Sequence, residues 1–219
     1  MPPTLTWSSE RSIRIATDDP VATWRAIRAS GLPGLVEVTP GFGSVQVEFA
    51  AVGLDDARVE DELRALLERA SEASEPFEAR SHTVPVCYDP ALAPDLSRVA
   101  ELAGLAARQV IERHAAGLYR VEVIGFSPGF GYLSGLDAQL HTPRLDSPRA
   151  RIPAGSVGIA GEHTGAYPQA TAGGWNLIGR TPAPLFDTRR DPPALLRLGD
   201  SVRFEPIDRS TFDRLSEGR

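Results

Sequence analysis

Polar and β-branched positions alternate through Arg11-Ser12-Ile13-Arg14-Ile15, which predicts a strand. Asp18-Asp19-Pro20 then carries a helix-start signal, with proline placed where a missing N–H costs nothing. Val21, Trp24 and Ile27 recur at helical spacing to form a buried face, and Gly31 closes the segment. Two alternating runs, GLVEVTPG and GSVQVEFA, are joined through Pro40-Gly41-Phe42-Gly43 and predict a hairpin with a loop slightly longer than two residues. A second helix is expected from Asp55, with Val59, Leu63, Leu66, Leu67 and Ala70 on one face and Glu60–Arg64 as an ion pair on the wet side. The next alternating segment is His82 to Tyr88. The order β-α-β-β-α-β matches a ferredoxin-like unit and sets a first domain at 1–80 and a second at 81–219.

The pattern then changes. Asp95 is placed to cap a short helix, and a further helix spans Leu105 to His114. From Tyr119 onward, YRVEVIGF, SVGIAG, GGWNLIGR and DSVRFEPI read as short strands separated by proline and glycine. That spacing predicts a β-barrel or sandwich, and the whole chain is therefore α+β.

Composition narrows the function classes. The 219 residues carry a net charge of −6, which argues against a nucleic-acid partner, and no apolar run is long enough to cross a bilayer. The N-terminal MPPTLTWSSER lacks the basic and apolar segments of a secretory leader, so a cytoplasmic protein is expected. A single cysteine, Cys87, removes disulfide frameworks and multi-cysteine metal sites, and His141 and His163 are too isolated to suggest a metal. All 23 basic residues are arginine. Without lysine there is no Walker A lysine and no Schiff base. Phosphate or carboxylate must be held by guanidinium forks and backbone N–H groups.

Gly125-Phe126-Ser127-Pro128-Gly129 fits the G-x-S-x-G pattern of a nucleophile elbow. The residue after the nucleophile must donate its N–H to the oxyanion, and here it is proline, which has none. The following GFGYLSG is a poor helix, so the elbow context fails as well. The segment reads instead as a rigid loop, either a tight barrel corner or a place where backbone approaches a ligand or partner closely.

Several long segments in order carry a resemblance: GFSPGFGYLSGLD, TPRLDSPRARIPAGSVGIAG, TGAYPQATAGGWNLIGRTP and LRLGDSVRFEPI, with VPVCY and VIERHAAGLYRVEVIGF upstream. Together they resemble the allophanate hydrolase subunit 1 / 5-oxoprolinase B-subunit family, which includes a Kip-type inhibitor of a sporulation histidine kinase. The resemblance covers about 82–208 strongly. It implies a ferredoxin-like N-terminal domain, a cyclophilin-like barrel and a homologous C subunit (subunit 2) as partner. With an A subunit, the pair is expected to open 5-oxoproline to glutamate, with ATP (carrying Mg²⁺) as co-substrate. Histidine-kinase inhibition and an allophanate hydrolase or urea carboxylase-like role remain the alternatives. This chain has Ala172-Gly173-Gly174-Trp175 where the family usually has proline before Gly-Gly-Trp.

Candidate ligand contacts are Arg144, Arg149, Arg151 and Arg180, whose guanidinium groups could grip phosphate or carboxylate if they converge. Ser156, Thr171 and Gly174 offer hydroxyl or N–H groups beside glycines, against the simpler reading of turn hydrogen bonds. Trp175 either stacks on a ring or fills the core. Phe126, Pro128, Phe130 and Tyr132 are candidates for a partner interface. His114 is expected to be a satisfied core histidine and Asp200 a turn residue. No acid–base pair can be named, which fits a site shared with another polypeptide.

Overall fold

A computed structural model describes residues 3–50, 56–72 and 79–217. The chain divides into two compact units, Met1–Glu78 and Ala79–Arg219.

In the first unit, β1 (Thr4–Ser9), β2 (Ser12–Ala16), β3 (Leu35–Gly41) and β4 (Ser44–Phe49) form one antiparallel sheet in the order β1-β2-β4-β3. The helices are α1 (Pro20–Ala29) and α2 (Asp56–Glu72). Asp19 caps α1, its carboxylate accepting from the Ala22 N–H at 3.0 Å. Strand alternation turns Ile13, Ile15, Val45 and Val47 inward against Ile27, Leu63 and Leu67. The element order is thus β-β-α-β-β-α, which differs from the expected β-α-β-β-α-β. The edge beside β2 is filled by β1, a strand absent from the expected order although Thr4-Leu5-Thr6-Trp7 alternates and packs Leu5 and Trp7 against the core. The His82–Tyr88 segment goes to the other unit. The hairpin loop is also tighter than expected: Gly41 pairs with Ser44, leaving only Phe42 and Gly43 in the turn. Glu60 and Arg64 pair at 3.2 Å, and the other oxygen of Glu60 accepts from the Trp7 indole at 3.0 Å. The expected roles of Asp55 and of the Ala70 side chain lie outside the described residues.

The second unit begins with β5 (Ser81–Cys87), α3 (Leu96–Ala103) and α4 (Ala107–Ala116), followed by β6 (Tyr119–Ile124) and β7 (Gly131–Ser134). Then come β8 (Arg149–Ile152), β9 (Ser156–Ala160), β10 (His163–Ala166), β11 (Thr171–Gly173), β12 (Asn176–Arg180), β13 (Ser201–Ile207) and α5 (Arg209–Glu217). Seven strands close into a barrel in the order β10-β7-β6-β13-β5-β12-β9, and β8 and β11 form a separate ribbon. β5 and β13 pair in parallel over seven residues each, while the other barrel pairs are antiparallel. Asp200 locks this parallel pair. Its buried carboxylate accepts from the Arg80 and Arg197 N–H groups and sits 2.8 Å from the His82 imidazole.

Val84, Val86, Val121, Leu133, Ile159, Ile178 and Phe204 belong to the main core of this unit, together with Leu96, Val99 and Val110 from the two helices. One polar chain runs through that core. His114 is fully buried and stacks on Phe204 at 4.6 Å. The Thr164 hydroxyl donates to the Gly158 carbonyl, so it accepts from His114 Nε2–H at 2.9 Å. His114 Nδ1 is then the acceptor for the Tyr88 hydroxyl at 2.8 Å. Burial pushes the imidazole pKa down to about 3, so the neutral tautomer persists. His114 is the satisfied core histidine the sequence suggested.

Candidate functional site

The loop between β6 and β7 turns strand into strand rather than strand into helix. Phe126 adopts φ 65°, and the Ser127 N–H reaches back to the Gly125 carbonyl at 2.7 Å. Ser127 Oγ is buried and has no hydrogen-bond partner, so no base stands beside it. Together with Pro128, this removes Ser127 as a nucleophile.

An aromatic cluster lies beneath this loop. Phe130, Tyr132, Tyr167 and Trp175 meet edge-on or tilted, with centroid separations of 4.9 Å for Phe130–Tyr132 and 5.4 Å for Phe130–Trp175. Trp175 is therefore core, as is Phe130, which is 1% exposed and cannot belong to a surface patch. Phe126 is 58% exposed and leans on Phe130 and Tyr167, and Pro128 is also exposed. Burial raises the Tyr167 hydroxyl to about 12, and the charges of Arg144 and Arg149 partly offset that rise.

The two arginines are held differently. Arg149 donates to the Asp95 carboxylate at 2.7 Å, and its other terminal nitrogen, Nη1, is buried without a partner. The second carboxylate oxygen of Asp95 accepts from the Leu177 N–H at 2.7 Å. Asp95 occupies the N-cap position of α3 but makes no side-chain cap; it clamps α3 to β12 and to β8 instead. Asp95→Ala strips both partners at once, leaving a half-buried guanidinium and a buried N–H unpaired. The expected loss is about 3 kcal/mol of unfolding free energy, read by urea titration, with Asp95→Asn losing less.

Arg144 is exposed and its backbone is pinned on both sides. The Asn176 amide donates to the Pro143 carbonyl at 2.9 Å, and the Leu145 N–H donates to the Gly174 carbonyl at 2.8 Å. Asn176 is fully buried, donates also to the Ile159 carbonyl, and accepts from Arg98 at 3.0 Å. The Gly-Gly-Trp-Asn run thus fixes the backbone that carries Arg144, a role the sequence pattern did not assign to Asn176. A buried amide directly after Gly-Gly-Trp was the available signal.

Arg144 opens onto a cleft of about 530 Å³. It is lined by His141, Pro143 and Arg144, by Ala160 at the end of β9, by Gly161 and Glu162 of the two-residue turn joining β9 to β10, and by His163 at the start of β10. The turn is bridged to the segment carrying Arg144 where the Gly161 N–H donates to the Thr142 carbonyl at 2.7 Å. His163 Nε2 lies 3.4 Å from a Glu122 carboxylate oxygen, and its ring meets Tyr132 edge-on.

The remaining sequence candidates do not converge here. Arg180 spends its Nε–H on the Ala154 carbonyl at 2.8 Å, and Arg151 is exposed on β8. Ser156 is buried in β9, and Thr171 lies on the ribbon opposite Ile152. Gly174 serves through its carbonyl, as above. Among the described residues no cluster of three or more His, Cys, Asp or Glu could hold a metal ion, and no helix is long and apolar enough to cross a membrane.

The carboxyltransferase domain, subdomain C and D, family model matches residues 5–196. A 5-oxoprolinase B subunit from Escherichia coli O157:H7 is 49% identical over 187 residues, 84% of each chain. This chain belongs to the 5-oxoprolinase B-subunit family. A second member, from Bacillus subtilis, is 40% identical over 200 residues, 87% of this chain and 83% of its own. The K. lactis urea amidolyase shares the fold at a TM-score of 0.74 and 19% identity, over 98% of this chain and 15% of that one. Both of these B-subunit relatives are named as one subunit of an enzyme made of several.

Proposed function

We propose that the chain is the B subunit of an ATP-dependent 5-oxoprolinase, which with its C and A subunits converts 5-oxoproline, ATP and water to glutamate, ADP and phosphate. The observation that carries this reading is the 49% identity to a 5-oxoprolinase B subunit across 84% of both chains. The open cleft at Arg144 supports it, because it presents an exposed guanidinium, a carboxylate and two imidazoles to solvent, where a second polypeptide can complete the chemistry. ATP supplies the phosphoryl group that activates the unreactive lactam; phosphoryl transfer depends mainly on positioning and charge. Mg²⁺ is assigned to the nucleotide phosphates, which with one or two carboxylates and water are its usual ligands.

Two measurements test the reading. The three subunits mixed with ATP and 5-oxoproline should release glutamate, and omission of this chain should abolish release; a verified complex that releases none sinks the proposal. Exposed Phe126 and Pro128 are assigned to the contact with the C subunit. Phe126→Ser should weaken that association about tenfold in calorimetry, as for loss of an aromatic anchor, with the fold of the free chain unchanged.

A further inference from the structure

The cleft at Arg144 has a composition that discriminates between the two substrates of the proposed reaction. One guanidinium and one carboxylate, Arg144 and Glu162, are among its lining residues, and their formal charges offset each other. A triphosphate carries several negative charges and needs several cations or a nest of backbone N–H groups to hold it. This chain has no lysine, and of its other candidate arginines, Arg149 is paired with Asp95, Arg180 with a backbone carbonyl, and Arg151, exposed on β8, does not line the cleft. A nucleotide therefore finds little here.

5-Oxoproline presents a different set of groups: one carboxylate, one lactam N–H and a compact ring. We infer that this cleft is the lactam subsite, with Arg144 taking the carboxylate, Glu162 accepting the lactam N–H, and Pro143 and His163 walling the ring, while the nucleotide is bound elsewhere in the complex. The inference deepens the 5-oxoprolinase reading and rests on it for the identity of the ligand. The parts are built to hold position. Arg144 lies between two backbone anchors, Glu162 sits in a two-residue hairpin turn, and His163 has Glu122 at 3.4 Å. Glu162 does not stand out in the sequence, and His163 figures there only as a histidine too isolated to suggest a metal, because they come to line one cleft with Arg144 only when the β9–β10 turn is bridged to Thr142.

Binding to the full chain, alone and mixed with the C subunit, tests this without relying on turnover. The readouts are calorimetry and the imidazole resonance of His163. 5-Oxoproline should shift that resonance saturably. 2-Pyrrolidinone, the same ring without the carboxylate, and L-proline, without the lactam carbonyl and with a charged amine, should each bind at least about tenfold more weakly. Arg144→Gln should abolish the 5-oxoproline response, and Glu162→Gln should weaken it about tenfold; both side chains are exposed, so near-UV circular dichroism should stay unchanged. ATP should neither shift His163 nor compete. Competition by ATP, absence of a saturable shift in both samples, or an Arg144→Gln variant that binds like the original overturns the inference. The two proposals fail separately. Saturable lactam binding in a complex that makes no glutamate sinks only the enzyme reading. Glutamate formation by Arg144→Gln at unchanged KM for 5-oxoproline sinks only the subsite.

Discussion

Gly155→Ala should unfold the barrel unit under conditions where the original chain is folded. Gly155 has φ +81°, a left-handed conformation that costs an alanine roughly 1–2 kcal/mol. An added Cβ would also run directly into the Thr181 carbonyl oxygen. The backbone cannot shift to relieve this, because the Gly155 N–H donates to the Tyr167 carbonyl at 2.7 Å and its own carbonyl accepts from the Thr181 N–H at 2.8 Å. Strain and overlap together should cost more than about 4 kcal/mol, a large share of a typical domain's stability. Gly161→Ala is the matched control. Its φ is +56°, but nothing lies within 4 Å of a new Cβ, so only about 1 kcal/mol is expected. Trp175 reports on the barrel unit and Trp7 and Trp24 on the other. Urea titration followed by fluorescence in a background with both N-terminal tryptophans replaced by phenylalanine therefore reads the barrel alone. Equal costs for the two alanines would show that the packing around Gly155 yields.

Acid should weaken the barrel through His114 before its carboxylates titrate. The imidazole pKa is about 3 in the fold against 6.5 as its ordinary value. The unfolded chain therefore takes up a proton below pH 6.5 that the folded chain refuses. Stability fully present above 6.5 is lost as pH falls and is gone by about 3. The slope of about 1.4 kcal/mol per pH unit gives a loss on the order of 3 kcal/mol between pH 7 and pH 4. Asp137 and Asp187, both held below the ordinary carboxylate range by arginine and backbone hydrogen bonds, contribute only at lower pH. His114→Gln isolates the effect. At pH 7 it should be the less stable protein, through its disturbed contacts with Tyr88 and Thr164, and by pH 4 the gap should close by about that same 3 kcal/mol. Parallel stability-versus-pH curves for the two proteins would mean that His114 protonates in place.

Periodicity made most of the elements legible. The α1 helix, the β3–β4 hairpin and the α2 face follow from apolar spacing over long, regular runs, and proline and glycine punctuate the later strands. What failed was assignment between sheets. The β5 segment alternates like any strand, and nothing local says that it pairs with β13, some 120 residues away. Thr4–Ser9 alternates over only four residues, Thr4-Leu5-Thr6-Trp7, and takes the edge beside β2. The site was half legible. Arginine without lysine pointed to guanidinium chemistry, and of the four candidates Arg144 opens onto the cleft, Arg149 and Arg180 are taken by Asp95 and a backbone carbonyl, and Arg151 lies exposed on β8. Asp95 looked like a helix cap because cap chemistry is local, whereas its carboxylate is taken by groups 54 and 82 residues away. Glu162 and His163 gain meaning only from tertiary neighbours, so no short pattern could have announced them, whereas Asn176 at least follows Gly-Gly-Trp directly.

The parallel ladder between β5 and β13 has a consequence for biosynthesis. Its two halves are the earliest and latest staves of the barrel to be translated, and the Asp200–His82 latch joins the same two ends. At an elongation rate of roughly 5–20 residues per second, β5 waits several seconds or longer outside the ribosome with one flank bare. Closure can follow only once Ile207 has cleared the exit tunnel, so the nascent polypeptide passes through an open, chaperone-seeking stage that an N-terminal unit built from neighbouring hairpins is spared.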